Sequence, residues 1–585
     1  MTNSTVISSV VNPVEIIARA RFRQNGYSSS DDDKNSDGDD GIYTDHELHC
    51  FITQYVEGKI PDYQMSAWLM AVCFNPLTPR ETATLTRCYA ESGMLLSWPE
   101  KEQKNDNQRQ RQRPPLVDKH SSGGVGDKIS LILAPLVATC GVCVPMMAGR
   151  GLGHTGGTID KLETSFPGYT AEPSVQDFQR IVLGDAMKEQ QQDEATSTID
   201  KDSEPVGCAI VAAGPELCPA DRRIYALRDV TSTVSCLPLQ TASIMSKKIA
   251  ERPDSLVLDV KYGHGAFQAT VEDAQLLAES MVDVGEANGL TPTTAFLTNM
   301  DHPIGRAVGN WVEVEECIDV LKGNLKDERL RLSQDLIALV VIQAGQMLYQ
   351  SDRRGYDINI DTTANTDDNN NHNHDDAETT DRGVKQYEQY RYMSLEDCIR
   401  HAYKVLDSGR ALNKIRQMLL AQGAEPIHLQ RAFDTPGDIP LATFVACWTY
   451  EETTTAATAA TADMNTPTVL RDIPAKTIGD VGVMVGAGRT VAGEKVDGQA
   501  GLVFYKQVGD SVKDGEIIVK IFTNRSQEIA DAALQRVQEA VQVRLGTVET
   551  DTRRRPIVTH RVTKEGGTEP FIMPEFLIDD ETVIV

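Results

Sequence analysis

The chain runs to 585 residues and 64.2 kDa, 40% of them hydrophobic, with a mean hydropathy of −0.31. That is too long for one ordinary core, so two or three domains are expected, and no stretch approaches the roughly 20 uninterrupted apolar residues that span a bilayer. A formal net charge of −28 argues against nucleic acid as a partner. Most of that charge sits in three tracts, 28–41, 189–204 and 361–381, which carry net −5, −5 and −7. They are poor in apolar residues and read as solvated insertions, as do Lys101–Pro115 and Glu451–Pro467. The N-terminus lacks a basic stretch ahead of its first apolar residues, which argues against a secretory leader. Arg19, Arg21 and Arg23 beside serines give only a weaker organelle-targeting reading. Eleven scattered cysteines suit reduced thiols, so a cytoplasmic protein is expected. Cys140 and Cys143 form a CxxC inside an apolar run and read as buried thiols rather than a redox pair.

In chain order, Glu15–Gln24 is an amphipathic helix candidate. Thr44–Glu47 is a capping box opening the next helix, and Thr78–Glu81 is a second, with Pro79 at the first helical position. Ile129–Cys140 reads as a buried helix and Val142–Met147 as a short strand. Ser255–Val260 reads as a strand leaving into Lys261-Tyr-Gly-His-Gly265, with a helix over Glu272–Ala287. Alternating strands and helices imply a parallel α/β sheet with its ligand at the strand ends. After Thr468 the runs Val481–Arg489 and Gly501–Thr523 read as β-rich, followed by a helix over Ser526–Leu545. Gly509–Gly515 resembles a carrier-domain hairpin, but no exposed Met-Lys-Met-like tripeptide accompanies it, so a structural role is expected.

Two glycine-rich stretches carry the chemistry. In Met147–Glu163 (MAGRGLGHTGGTIDKLE) the spacing Gly151, Gly153, Gly156 fits the dinucleotide fingerprint. That fingerprint needs a full helix after the glycines; here Ser165-Phe-Pro-Gly168 ends the helical text after Glu163, and the reading fails. In Asp118–Ser130 (DKHSSGGVGDKIS) a lysine, a histidine and hydroxyls flank a glycine turn whose N–H groups can converge on an anion. No Walker A spacing fits it.

Together, KHSSGGVGDK and AGRGLGHTGGTIDKLE resemble the thymidine/pyrimidine-nucleoside phosphorylase family. The likeness continues through Ala220–Thr231 (ADRRIYALRDVT), Thr241–Lys248 (TASIMSKK) and Asp259–Phe267 (DVKYGHGAF). It covers nearly the whole chain outside the low-complexity tracts. The resemblance implies an α/β protein with three parts. A small all-helical lobe comprises 1–117 together with about 219–250. A large α/β lobe with a central sheet covers 118–450, and a C-terminal α+β domain with β-rich hairpins covers 468–585. It implies reversible phosphorolysis of pyrimidine nucleosides to free base and (2-deoxy)ribose 1-phosphate. Inorganic phosphate is then a co-substrate and no cofactor is needed, and a homodimer would form through the helical lobe.

By the same resemblance Lys119, Ser121, Ser130 and Thr158 bind phosphate, and Arg228, Ser243 and Lys247 bind the pyrimidine. His120, Arg228 and Lys247 are catalytic. Ser243 and Lys247 are four apart and so share a helix face. Arg228 has the alternative of an ion pair with Asp229, and Ser130 that of helix back-bonding. Two positions depart from the pattern. Ala148 stands where the family usually has serine, which predicts weaker phosphate binding. Lys128 stands where bacterial members have a small residue near a potassium site; its ammonium is expected to stand in for the ion, so no metal is expected. The alternatives to this reading are a nucleoside monophosphate (AMP-type) phosphorylase and a catalytically inactive binding protein.

Overall fold

The computed structural model describes residues 10–22, 42–98, 113–151, 153–184, 205–214, 216–353, 394–451, 468–490, 494–545 and 557–577. The acidic tracts 28–41, 189–204 and 361–381 lie outside the described residues, as do 101–112 and 452–467.

Four helices, Pro13–Phe22, Asp45–Val56, Asp62–Phe74 and Pro79–Glu91, pack with Pro219–Val230 and Leu237–Glu251 into a helical lobe with its own core. Both capping boxes read from the sequence form: Thr44 with Glu47 and Thr78 with Glu81 each satisfy two helix-start donors reciprocally. Glu81 also accepts from the Tyr43 N–H at 2.9 Å, tying one helix start to the next. Phe51 meets Trp68 at 5.3 Å between ring centroids. Burial of a side chain the size of Phe51 contributes about 1.5–3 kcal/mol.

The α/β part is built on a five-stranded sheet in the order Val117–Ser121, Ser255–Tyr262, Thr293–Asn299, Val558–Thr563, Gly567–Pro570. The first three are parallel, and Ser255–Tyr262 is buried at every position, as a strand covered on both faces requires. Strand Val144–Ala148, parallel to Cys208–Ala212, continues alongside through Val117 N–H to the Cys143 carbonyl. Ser255–Tyr262 and Val144–Ala148 lie close to the expected strands.

The structure departs from the sequence reading at five places. Val481–Val485 is helical, the end of helix Ala475–Val485: Ile478, Val481 and Val485 fall on one buried face, and that period overrides the β-propensity of the valines. Ser526–Leu545 divides into helix Gln527–Ala540 and strand Gln542–Leu545, which pairs with Thr468–Asp472. Strand Phe444–Thr449, inside the span expected for the central lobe, pairs with Ile517–Thr523 in a four-stranded antiparallel sheet. Strand Val558–Thr563 joins the central sheet beside Thr293–Asn299, and Leu470, Leu502 and Ile521 share one core with Val117 and Ile132. Finally, Arg113–Pro115, read as the tail of an insertion, is folded: Arg113 forks onto Asp254 at 2.7 and 2.9 Å.

Cys140 and Cys143 are buried and burial pushes both thiols up to about 12, which keeps them inert as thiols. The Gly509–Gly515 turn is anchored by Asp510, which accepts a forked pair of bonds from Arg331. Residues Glu328–Asp352 are long and apolar enough to cross a membrane by composition, but 83% of that window is buried within the fold.

Candidate active site

The residues expected to bind phosphate begin at the end of strand Val117–Ser121. Its neighbour in register, Asp259 opposite Ser121, accepts from Lys261 Nζ at 2.7 Å and from Thr298 Oγ1 at 2.6 Å. Lys119 Nζ is 3.6 Å from the same carboxylate, its side chain 1% exposed, and it is without a hydrogen-bond partner among the described residues. A buried ammonium in that state is costly unless an anion completes it. Past the strand, Gly123 and Gly126 take φ of +95° and +69°, conformations that glycine reaches without strain. Ser121 Oγ donates to Asp127 at 2.6 Å and accepts from Gly123 N–H at 3.2 Å. Burial alone would raise the Asp127 carboxyl. The Lys119 and Lys261 ammonium groups, the Ser121 hydrogen bond and Lys161 outweigh it and hold the group far below the usual range.

Helix Ile129–Thr139 starts from this loop with Ser130 half-buried in its first turn. The second glycine loop, 149–157, leads into helix Thr158–Ser165, with Thr158 its first residue. Gly156 N–H reaches the Gly124 carbonyl at 3.4 Å, so the two loops touch. Lys161 Nζ donates to the Asp127 carbonyl at 3.3 Å and pairs with Glu313 at 3.2 Å. Lys119, Lys161 and Lys261 thus all act on Asp127, which lies just ahead of helix Ile129–Thr139, with Lys161 in the first turn of helix Thr158–Ser165. Ala148, at the end of its strand, offers no hydroxyl.

Lys128 fills a different place. Its Nζ is fully buried and donates to the carbonyls of Ile304 and Ala307 at 2.8 and 2.9 Å and to Glu316 at 2.8 Å. Glu316 also takes the N–H groups of Arg306 and Ala307 and the Ser333 hydroxyl. Burial opposes charge on both partners, yet their attraction raises Lys128 and lowers Glu316. These three oxygens already hold a cation belonging to the chain, so the residues present do not fit a potassium ion there.

Of the residues expected to bind the pyrimidine, Arg228 and Lys247 both have partners within the chain. Arg228 is 1% exposed and its guanidinium donates to the carbonyls of Thr233, Val234 and Leu239 at 3.3, 2.6 and 2.8 Å. It staples the turn between helices Pro219–Val230 and Leu237–Glu251; in this conformation it neither pairs with Asp229 nor offers a free fork to a base. Ser243 is buried, and its backbone carbonyl accepts from Lys247 Nζ at 2.8 Å, four residues on in the same helix. Lys247 is also paired with Asp221 at 2.5 Å, side chains 28% and 3% exposed. Asp221 Oδ1 has no partner among the described residues.

Lys248 joins the α/β part to the helical lobe. Its buried Nζ binds Asp118 on strand Val117–Ser121, the Met147 carbonyl at 3.0 Å, and Glu251 at 3.0 Å on its own helix. Burial pushes Glu251 well up, helped by the Asp118 charge. His120 follows Lys119 on the strand. Burial, then the charges of Lys248, Lys247 and Lys119, hold its imidazole well below the ordinary value, so it is neutral near pH 7 and one ring nitrogen keeps a proton to donate. A cavity of ≈ 570 Å³ is lined by Arg150, Gly151, Asp160, Tyr225, Arg489 and Lys495 among others, and by none of the expected phosphate- or pyrimidine-binding residues.

The expected residues thus divide between the α/β part, with Lys119, Ser121, Ser130 and Thr158, and the helical lobe, with Ser243 and Lys247; His120 follows Lys119. Sequence reasoning missed Asp127, Asp259, Lys161 and Lys261, which set the charge around Lys119, and Asp221, which holds Lys247. Their signal was present: each is a charged residue inside or beside one of the five motifs.

Residues 38–93 match the family model described as "Glycosyl transferase family, helical bundle domain". Residues 113–188 and 182–412 match "Glycosyl transferase family, a/b domain", and 469–544 match "Pyrimidine nucleoside phosphorylase C-terminal domain". A pyrimidine-nucleoside phosphorylase of Staphylococcus haemolyticus (strain JCSC1435) is 35% identical over 519 residues, covering 89% of this chain and 96% of that protein. Those of Geobacillus stearothermophilus and Bacillus subtilis (strain 168) are each 34% identical, covering 87% and 86% of this chain and 95% and 93% of theirs. The matches cover the helical lobe, the α/β core and the C-terminal elements, so the chain belongs to the pyrimidine-nucleoside phosphorylase family.

Proposed function

We propose that the protein is a pentosyltransferase that cleaves pyrimidine nucleosides reversibly with inorganic phosphate. A phosphate oxygen forms a bond to C1′ of the sugar as the C1′–N1 bond breaks. The electron pair leaves with the pyrimidine, which takes up a proton; the products are free base and (2-deoxy)ribose 1-phosphate. Since phosphate is the nucleophile, the chain's task is placement and charge stabilisation. The observation that carries the reading is the buried, unbonded ammonium of Lys119, which a phosphate oxygen would satisfy. Ser121, Ser130 and Thr158 would add hydroxyls and helix-start N–H groups.

Lys247 stabilises the charge on the departing base, and Asp221 holds it in place. Neutral His120 donates its N–H to a base oxygen rather than acting as a charged acid. Arg228 enters with a changed part: it positions the turn ahead of the Ser243 helix by holding three carbonyls. Lys128 supplies internally the positive charge that a bound cation would otherwise bring to the 304–307 segment. Tyr63, Met70 and Phe74, exposed along one side of helix Asp62–Phe74, support a homodimer through the helical lobe, and we place the enzyme in the cytoplasm.

The test is ultraviolet absorbance of thymidine, deoxyuridine, uridine and AMP, each with and without phosphate. Phosphate-dependent change with a pyrimidine nucleoside is the expected result. Turnover of AMP alone would favour the nucleotide reading, and no turnover of any would favour a binding protein.

A further inference from the structure

Arg489 comes from the stretch after helix Ala475–Val485, far in sequence from both glycine loops. Its guanidinium forks onto Asp160, Nη1 to Oδ2 at 2.7 Å and Nη2 to Oδ1 at 2.5 Å. Asp160 Oδ2 also accepts the Gly151 N–H at 2.7 Å, and Arg489 Nη1 donates to the Gly151 carbonyl at 3.3 Å. Nε is fixed on the Glu494 carbonyl at 2.7 Å. The carboxylate and the guanidinium therefore grip both ends of one glycine, at the start of the loop. The grip is nearly dry, with Asp160 3% and Arg489 10% exposed. Arg150 is 3.9 Å from Asp160, but it is 42% exposed and pairs with Glu163, so it is a poor substitute.

The loop has little slack. A Cβ on Gly157 would lie 2.0 Å from the Gly151 nitrogen, and one on Gly479, in the helix before Arg489, 2.4 Å from the His154 carbonyl oxygen. The C-terminal part of the chain thus presses on the loop at two points. Asp160 lies in the first turn of helix Thr158–Ser165, two residues after Thr158 and next to Lys161, whose ammonium reaches back to the Asp127 carbonyl.

We propose that Arg489 is a positioning residue for phosphate: through Asp160 it sets the shape of the 149–157 loop and the start of helix Thr158–Ser165. The proposal rests on the phosphorolysis reading above. A guanidinium is needed because a lysine supplies charge without a planar fork. A loop displaced far enough to forfeit one well-aimed hydrogen bond to phosphate costs about tenfold in affinity.

The experiment measures KM for phosphate, KM for nucleoside and the thermal midpoint in wild type, Arg489→Lys and Arg489→Ala. Expected is a phosphate KM about tenfold higher in both variants, with nucleoside KM within twofold. Added guanidinium at millimolar concentration, but not ethylammonium, should lower the phosphate KM of Arg489→Ala. A lower midpoint with both KM values unchanged and no rescue overturns the proposal, as does full recovery in Arg489→Lys. Should Arg489→Ala fail to fold, the Arg489→Lys values decide alone. Calorimetry with inorganic phosphate separates the two readings: a wild type that binds phosphate without cleaving nucleosides removes the functional reading, and weaker binding in Arg489→Lys then still upholds this one. A wild type that does neither overturns both.

Discussion

Lys119 keeps its ammonium out of water, 3.6 Å from Asp259 and without a hydrogen-bond partner among the described residues. Met at this position keeps the apolar stem but removes a charge that faces both Asp259 and Asp127, and breaking one side of a buried ion pair is destabilising. Lys119→Met should therefore melt lower than wild type in phosphate-free buffer. It should lose the phosphate-induced rise in melting temperature, with kcat/KM for phosphate falling about 10²–10³-fold; thermal melts with and without phosphate check this, and an intact phosphate shift contradicts it. His120 makes a pH prediction. Its folded value is depressed below 6.5, largely by burial. Its contribution to stability is whole above about pH 6.5 and is lost as pH falls toward the folded value. His120→Gln should flatten the slope of the urea midpoint between about pH 5 and 6.5, and equal slopes in the two proteins would contradict it. In the sequence, the glycine turn beside Lys119 marked it as a candidate anion ligand, and the family resemblance marked His120. The sequence did not reveal that Arg228 also holds the turn ahead of the Ser243 helix, because the carbonyls it binds carry no side-chain signal.

At the scale of elements, local signals decided what was legible. The two capping boxes form as read, since both partners lie within four residues. The run Val481–Val485 was misread because its alternating valines suit a strand and only the packing of Ile478, Val481 and Val485 makes it a helix. Joints between distant elements were likewise invisible: Arg489 to Asp160, and Lys128 to the Ile304 and Ala307 carbonyls. Lys128 ties the first glycine loop to segment 304–307. Lys128→Ala leaves Glu316 buried without its cation, a loss of about 3–5 kcal/mol, and opens a space ringed by two carbonyls and a carboxylate. Potassium chloride should then raise the melting temperature of the variant well beyond any effect on wild type, with sodium chloride and choline chloride as controls. Equal responses in both proteins would show that Lys128 does not occupy a cation position.

At the scale of the whole molecule, Lys248 joins the α/β part to the helical lobe, linking Asp118 on strand Val117–Ser121 to its own helix Leu237–Glu251, where it also binds Glu251. The C-terminal elements complete the central sheet and brace the second glycine loop instead of standing apart, which composition did not reveal. The helical lobe presents Tyr63 and Phe74 at 74% and 71% exposure, large apolar groups that favour association. Sedimentation should find a dimer at micromolar concentration, and Phe74→Glu should shift it toward monomer; a monomeric wild type would contradict this assembly. The central claim is that phosphate, seated at Lys119, attacks the sugar of a pyrimidine nucleoside. Phosphorus-31 NMR of the enzyme with thymidine and inorganic phosphate tests it most directly. The expected result is a new sugar 1-phosphate resonance growing in step with free thymine, absent in Lys119→Met. Thymine released at the same rate without phosphate, or no new phosphorus resonance at all, would contradict it.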